Sequence, residues 1–193
     1  MEHESHHHHH PHGTGFRWLD IHSAHSMEKL VAANSYPYLE QWRNMGTGKL
    51  LPGTDRGQRR VEYEFGNNGV GPARIEWVQL FFKDKPMADI SDLLEACCSG
   101  SKETSNGLDR RGHVVGKLVR PGATLAMFTW DEQSTPNPVF DALHRQMNGI
   151  QIDYCYCSVF DECYLRHHDD RKPISVKSCE APAKTFQPGY RDD

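Results

Sequence analysis

Residues 149–179 read GIQIDYCYCSVFDECYLRHHDDRKPISVKSC and hold four of the six cysteines in a chain of 193 residues. The spacing constrains the fold more than any other feature. On an extended strand from Ile150, side chains alternate faces, so Ile152, Tyr154 and Tyr156 share one side and Cys155 and Cys157 the other. Cα atoms two positions apart on a strand are roughly 6.5–7 Å apart, at the limit of disulfide geometry, so Cys155 and Cys157 are not expected to bond each other. The stretch reads as two long strands joined by a charged turn. A turn centred on 168–171 brings Cys179 opposite Cys163, and Cys163–Cys179 is the first expectation. A turn within 158–162 makes Cys157–Cys163 the better pair. Cys97 reads as a small core residue on a helix stripe. Cys98, ill-placed to bond Cys97, could reach a strand cysteine.

A metal site competes for the same sulfurs. Cys155, Cys157, His167 and His168 offer soft ligands suited to zinc or copper. The C-x-C, x5-C, x15-C spacing lacks the paired C-x2-C knuckles of structural zinc sites. Redox use of Cys155 and Cys157 would call for a thioredoxin-like βαβ setting, which the pattern does not offer. No cofactor is therefore expected.

The remaining chain reads as strands and turns. Val61, Tyr63 and Phe65 alternate with Glu62 and Glu64, the pattern of a half-buried strand. Residues 67–73, NNGVGPA, form a loop in which Asn67, Gly69, Gly71 and Pro72 are structural and the glycines supply positive φ. The next run, 74–82, changes apolar parity between Trp77 and Val78, which predicts a bulge or burial on both faces. Strands are also expected at 38–42, 113–119 and 124–130, with exposed loops at 46–58 and 101–112.

Two short helices interrupt the strands. Ile90, Leu93, Leu94 and Cys97 lie on one helical face behind Asp89 as N-cap, with Gly100 as the stop. Phe140, Leu143 and Met147 follow Asn137 and Pro138, an N-cap and first-turn proline. The fold class is mostly β: an Ig-like antiparallel β-sandwich with two short inserted helices.

Residues 1–15 carry a histidine run and no apolar residue between Met1 and Phe16, the composition of an affinity tag and linker. Residues 16–35 are expected to be a linker that in the native protein follows a membrane segment replaced here by the tag, 36–181 the single sandwich domain, and 182–193 a fraying polar tail. The net charge of −4 offers no basic face for nucleic acid. Six cysteines fit disulfides and an oxidising compartment. His113 and His144 read as surface or structural residues. There is no G-x-S-x-G, phosphate loop or H-E-x-x-H, and no catalytic residue is assigned.

The N-N-G-V-G-P-A motif at 67–73, the Lys83-Asp84-Lys85-Pro86 turn and Tyr156-Cys157-Ser158-Val159-Phe160 with Cys163 resemble a group of uncharacterised bacterial proteins. In that group an N-terminal membrane helix carries an extracytoplasmic β-sandwich, and Tyr36-Pro37-Tyr38 is similar to the segment after the helix. The vicinal Cys97-Cys98 pair and Cys155 depart from the pattern. The resemblance implies a periplasmic domain tethered to the inner membrane, with a protein or cell-envelope partner. Membrane contact would run only through the preceding helix. The function expected is non-catalytic binding, with a thiol-redox or metal-binding protein built on Cys155–Cys179 as the alternative.

Overall fold

The computed structural model describes residues 16–110 and 113–191. The chain divides into two compact units, Met1–Asn34 and Ser35–Asp193. In the first, the segment expected to be a linker is a helix, α1 (Phe16–Ser35). It contains neither glycine nor proline, and it ends beside Tyr36, whose helical conformation the following Pro37 disfavours. The tag assigned to 1–15 lies outside the described residues. No described helix is long and apolar enough to cross a membrane.

The second unit runs β1 (Leu39–Leu50), β2 (Gly57–Asn67), β3 (Ala73–Phe82), β4 (Lys85–Met87), α2 (Ile90–Cys98), β5 (Leu108–Arg110), β6 (Leu118–Val119), β7 (Thr124–Asp131), α3 (Pro138–Arg145), β8 (Ile150–Cys157), β9 (Cys163–Arg166) and β10 (Ile174–Val176). One sheet has the order β1-β2-β7-β5; the other has β10-β9-β8-β3-β4, with β6 also on β3. All pairings are antiparallel. The fold is a β-sandwich with short helices.

Its core lies between the sheets. Val61, Tyr63 and Phe65 are fully buried with Phe128 and Trp130, and Ile75, Val78, Leu80, Tyr154 and Tyr156 join them in one cluster. Phe65 meets Tyr154 edge-on at 5.0 Å between ring centres. The helices close one end. Asp89 accepts from Asp92 N (2.8 Å), and Asn137 accepts from Val139 N (2.9 Å), so both N-caps stand where their residue types predict. Ser99 takes the left-handed cap at φ 50°, and Gly100 N then bonds Leu94 O.

Several expectations change. The glycine-rich 46–58 segment is mostly a hairpin arm, because backbone pairing of β1 with β2 continues past a register shift at Gly46. The bulge on β3 falls between Ile75 and Trp77, opposite Tyr156 and Cys155. Of the strand expected at 113–119 just Leu118 and Val119 pair, while Leu108–Arg110, expected to be loop, pairs with β7. Gly69 and Gly71 do not have positive φ. Both are required for close approach instead: a Cβ on Gly69 would lie 2.3 Å from Tyr38 N, and one on Gly71 2.0 Å from Ser35 O.

Within the described residues, the tail expected to fray is docked up to Arg191. Along the free edge of β3, Gly116 and Lys117 bond Ile75, β4 takes the far end, and Phe186 N donates to Val78 O between them. Phe186 is fully buried, Ile90 N donates to Gly189 O, and Arg191 pairs with Asp92. One buried aromatic and an unfilled sheet edge outweigh the polarity of the remaining residues.

A buried carboxylate ties β7 to the β1–β2 hairpin. Glu132, 5 % exposed, accepts from Arg56 NH1 (3.0 Å), Arg59 NH2 (2.6 Å) and Arg59 N (3.1 Å). Hydrogen bonds from Arg56 first, then Arg59, hold its pKa far below the ordinary 4.5. A depressed carboxyl pKa contributes stability that is complete above the ordinary value and is lost as pH falls toward the folded one. Glu132→Gln is therefore expected to cost about 2–3 kcal/mol at pH 7. The gap from the parent should narrow steadily below about pH 4.5 in urea unfolding curves. Parallel stability–pH curves for the two proteins would contradict this assignment.

Candidate functional site

The region that gathers chemically distinctive side chains is β8 with its neighbours. Alternation along β8 sends Ile152, Tyr154 and Tyr156 toward the sandwich core and Asp153, Cys155 and Cys157 to the opposite face. A tight turn follows at once. Ser158 N donates to Glu162 O (2.8 Å), Ser158 Oγ accepts from Phe160 N and Glu162 N, and Asp161 takes φ 58°. That turn sets Cys157 directly opposite Cys163, with Cα atoms 4.0 Å apart, and the two are bonded.

A second turn follows β9, where Asp170 N donates to His167 O and His167 N to Asp170 Oδ2. β10 then returns with Val176 opposite Cys163. Cys179 thus arrives beside the Cys157–Cys163 pair, yet its bond is to Cys155, at a Cα separation of 5.7 Å. The expected Cys163–Cys179 bond is not formed. The reason is the order of the turns: the nearer one, at 158–162, closes first in sequence and takes Cys163. Cys155 and Cys157, as strand parity requires, do not bond each other.

Cys97 and Cys98 also differ from expectation, since their sulfurs bond to each other at the end of α2. All six cysteines are paired and none is free.

His167 and His168 do not join the cysteines. Both face Asp153, which is 6 % exposed. His168 Nδ1 and His168 N lie 2.7 Å from Asp153 Oδ1, and His167 Nδ1 lies 3.1 Å from Oδ2. The metal set Cys155, Cys157, His167 and His168 is therefore not assembled: its sulfurs are in disulfides and its imidazoles are turned to a carboxylate. Sequence reasoning missed Asp153. The available signal was an acidic residue between Ile152 and Tyr154 on an otherwise apolar strand, with two histidines a hairpin away.

These histidines border a cleft of about 540 Å³ between β1 and the β8–β9 hairpin, lined also by Trp42, Arg43, Tyr154 and Arg166. The guanidinium NH1 of Arg166 is buried without a hydrogen-bond partner. Behind the cleft, Tyr154, Tyr156, Tyr164 and Tyr36 contact one another in turn at centroid separations of 6.1, 5.5 and 5.2 Å, the first pair stacked and the last edge-on. Burial, then Glu162, pushes the Tyr164 hydroxyl up to about 12, and burial raises those of Tyr154 and Tyr156 further. These hydroxyls stay protonated near neutral pH, and that of Tyr154 donates to Leu39 O (2.8 Å).

The other histidines have structural partners. His113 Nδ1 contacts Gln187 Oε1 (2.9 Å), and His144 Nε2 donates to Met45 O (2.8 Å) while stacking on Phe140. None of these contacts reaches a hydroxyl or thiol, as an activated nucleophile requires. In the 67–73 loop, Asn67 is the hub. Its Oδ1 accepts from Tyr38 N and Gly69 N, and its Nδ2 donates to Gly71 O and Val119 O. Comparison with protein-family models, curated proteins and solved structures returns no match.

Proposed function

We propose that this chain is a non-catalytic binding module of the extracytoplasmic space, carried by a bacterial protein tethered to the inner membrane. The observation that carries the reading is the pairing of all six cysteines, since thiols paired throughout persist where the surroundings are oxidising. The Cys155–Cys179 bond has a structural task in such a module: it fastens the C-terminal segment to a central strand across 24 positions of sequence. The cleft beside His167 and His168 supplies a polar, concave surface for a protein or envelope partner. The net charge of −4 makes nucleic acid an unfavourable partner.

Thiol counting tests the reading. Cells producing the protein are quenched in acid, and the unfolded chain is alkylated before and after reduction. Intact mass should show no label before reduction and six labels after it. Four or more labels before reduction would place the protein in a reducing compartment and overturn the proposal.

A further inference from the structure

The two strand disulfides stand against each other. Cys157 Sγ and Cys179 Sγ belong to different bonds yet lie 3.7 Å apart. The sulfurs of Cys157, Cys163 and Cys179 all fall within 4.8 Å of one another. Cys155, bonded to Cys179, is the fourth sulfur; it stands outside that 4.8 Å group and has to turn inward once its bond is broken. Three of the four are less than a tenth exposed, and those three sit on paired strands. In a tetrahedral thiolate centre with metal–sulfur bonds near 2.3 Å, ligand sulfurs are separated by ~3.8 Å. The Cys157–Cys179 approach matches one of the six sulfur–sulfur separations that such an ion requires.

A second observation points to the same place. Trp77 is opposite Cys155 in the β3–β8 ladder, and both line a depression with Cys179 and Lys177. The Trp77 indole N–H is buried and has no acceptor. Disulfide sulfur is a poor acceptor, whereas a thiolate is a good one. An N–H that reaches a metal-bound thiolate orients and tunes it; with the disulfides intact the Trp77 N–H bonds no sulfur.

We propose that, once both disulfides are reduced, Cys155, Cys157, Cys163 and Cys179 form a four-thiolate site for a soft metal ion of the zinc class. Two dithiol molecules each give up two electrons and two protons and leave as cyclic disulfides. Both protein S–S bonds break, and four thiols form. The ion displaces the thiol protons as it binds. Exchange with two oxidised dithiol molecules, each taking two electrons and two protons, reverses the sequence: the two bonds re-form and the ion is released. The C-terminal segment is thus fastened to β8 in either state, by sulfur or by metal.

Cobalt(II) is the probe, because thiolate ligation gives an intense near-ultraviolet charge-transfer band that the N-terminal histidines cannot produce. The full chain, reduced and freed of reductant without air, should saturate the band at one equivalent. The Cys97→Ser/Cys98→Ser protein should behave alike. Cys157→Ser and Cys179→Ser should each weaken binding at least tenfold, and zinc should bleach the band. Absence of the band from protein with six titratable thiols overturns the proposal, as does an undiminished band in Cys179→Ser or any band before reduction. Should reduction unfold the chain, one equivalent of zinc must restore the far-ultraviolet dichroism of the parent but not of Cys179→Ser; failure to do so also overturns it. The inference concerns the reduced cluster and goes beyond the binding-module reading, whose own test is the thiol count before reduction.

Discussion

Asn67→Ala is expected to remove most of the stability of the domain. The side chain is 1 % exposed and makes four hydrogen bonds, two as acceptor and two as donor. Alanine leaves Gly71 O and Val119 O without those partners inside the fold and removes the part-buried bonds from Tyr38 N and Gly69 N. At about 1–3 kcal/mol for each buried group left unsatisfied, the loss is on the order of 4 kcal/mol or more. Domains of this size commonly hold a net ~5–15 kcal/mol. Asn67→Asp should not rescue it, because the second carboxylate oxygen would face two carbonyls where an amide donated. Urea midpoints at pH 7 decide the matter, and a change below about 0.5 kcal/mol for Asn67→Ala would show that the loop does not depend on this residue.

Phe186→Ala carries the second large effect, expected at about 3–5 kcal/mol for truncation of a fully buried aromatic. The ring lies 6.1 Å from Phe128, between the sheet that carries β7 and the strand edge that Val78 offers to its backbone. Most of the 177–191 segment is polar, and this ring is its one fully buried aromatic side chain, beside the Cys155–Cys179 bond and the contacts of Gly189, Tyr190 and Arg191 with the α2 region and the core. The variant should also show new protease cleavage after residue 180, with the rest of the domain still folded. A variant with parental stability and parental protease resistance would mean that the disulfide and those other contacts hold the segment without the ring.

The same segment shows where sequence reasoning reached its limit. Polarity made 182–193 read as a tail, because local composition carries no record of an unfilled edge on β3 more than a hundred residues earlier. The 46–58 arm failed for a related reason: its glycines lower strand propensity, but pairing with β2 supplies the hydrogen bonds regardless. Where the determinants were local, the reading held. Asp89 and Asn137 cap their helices, Val61, Tyr63 and Phe65 face the core, and the parity change on β3 marks a bulge within two residues of its place.

For the cysteines the division is sharpest. Strand periodicity alone places Cys155 and Cys157 on one face and forbids a bond between them, since that follows from two backbone spacings. Which distant sulfur each one meets depends on where the chain reverses, and two turns compete for that choice. The backbone bonds of Ser158 and the left-handed Asp161 decide it by closing the near turn. Cys163 then pairs with Cys157, and Cys179 is carried over β9 to Cys155. The approach of the two disulfides to 3.7 Å is likewise a property of three packed strands, set by ladder registers that no single segment contains.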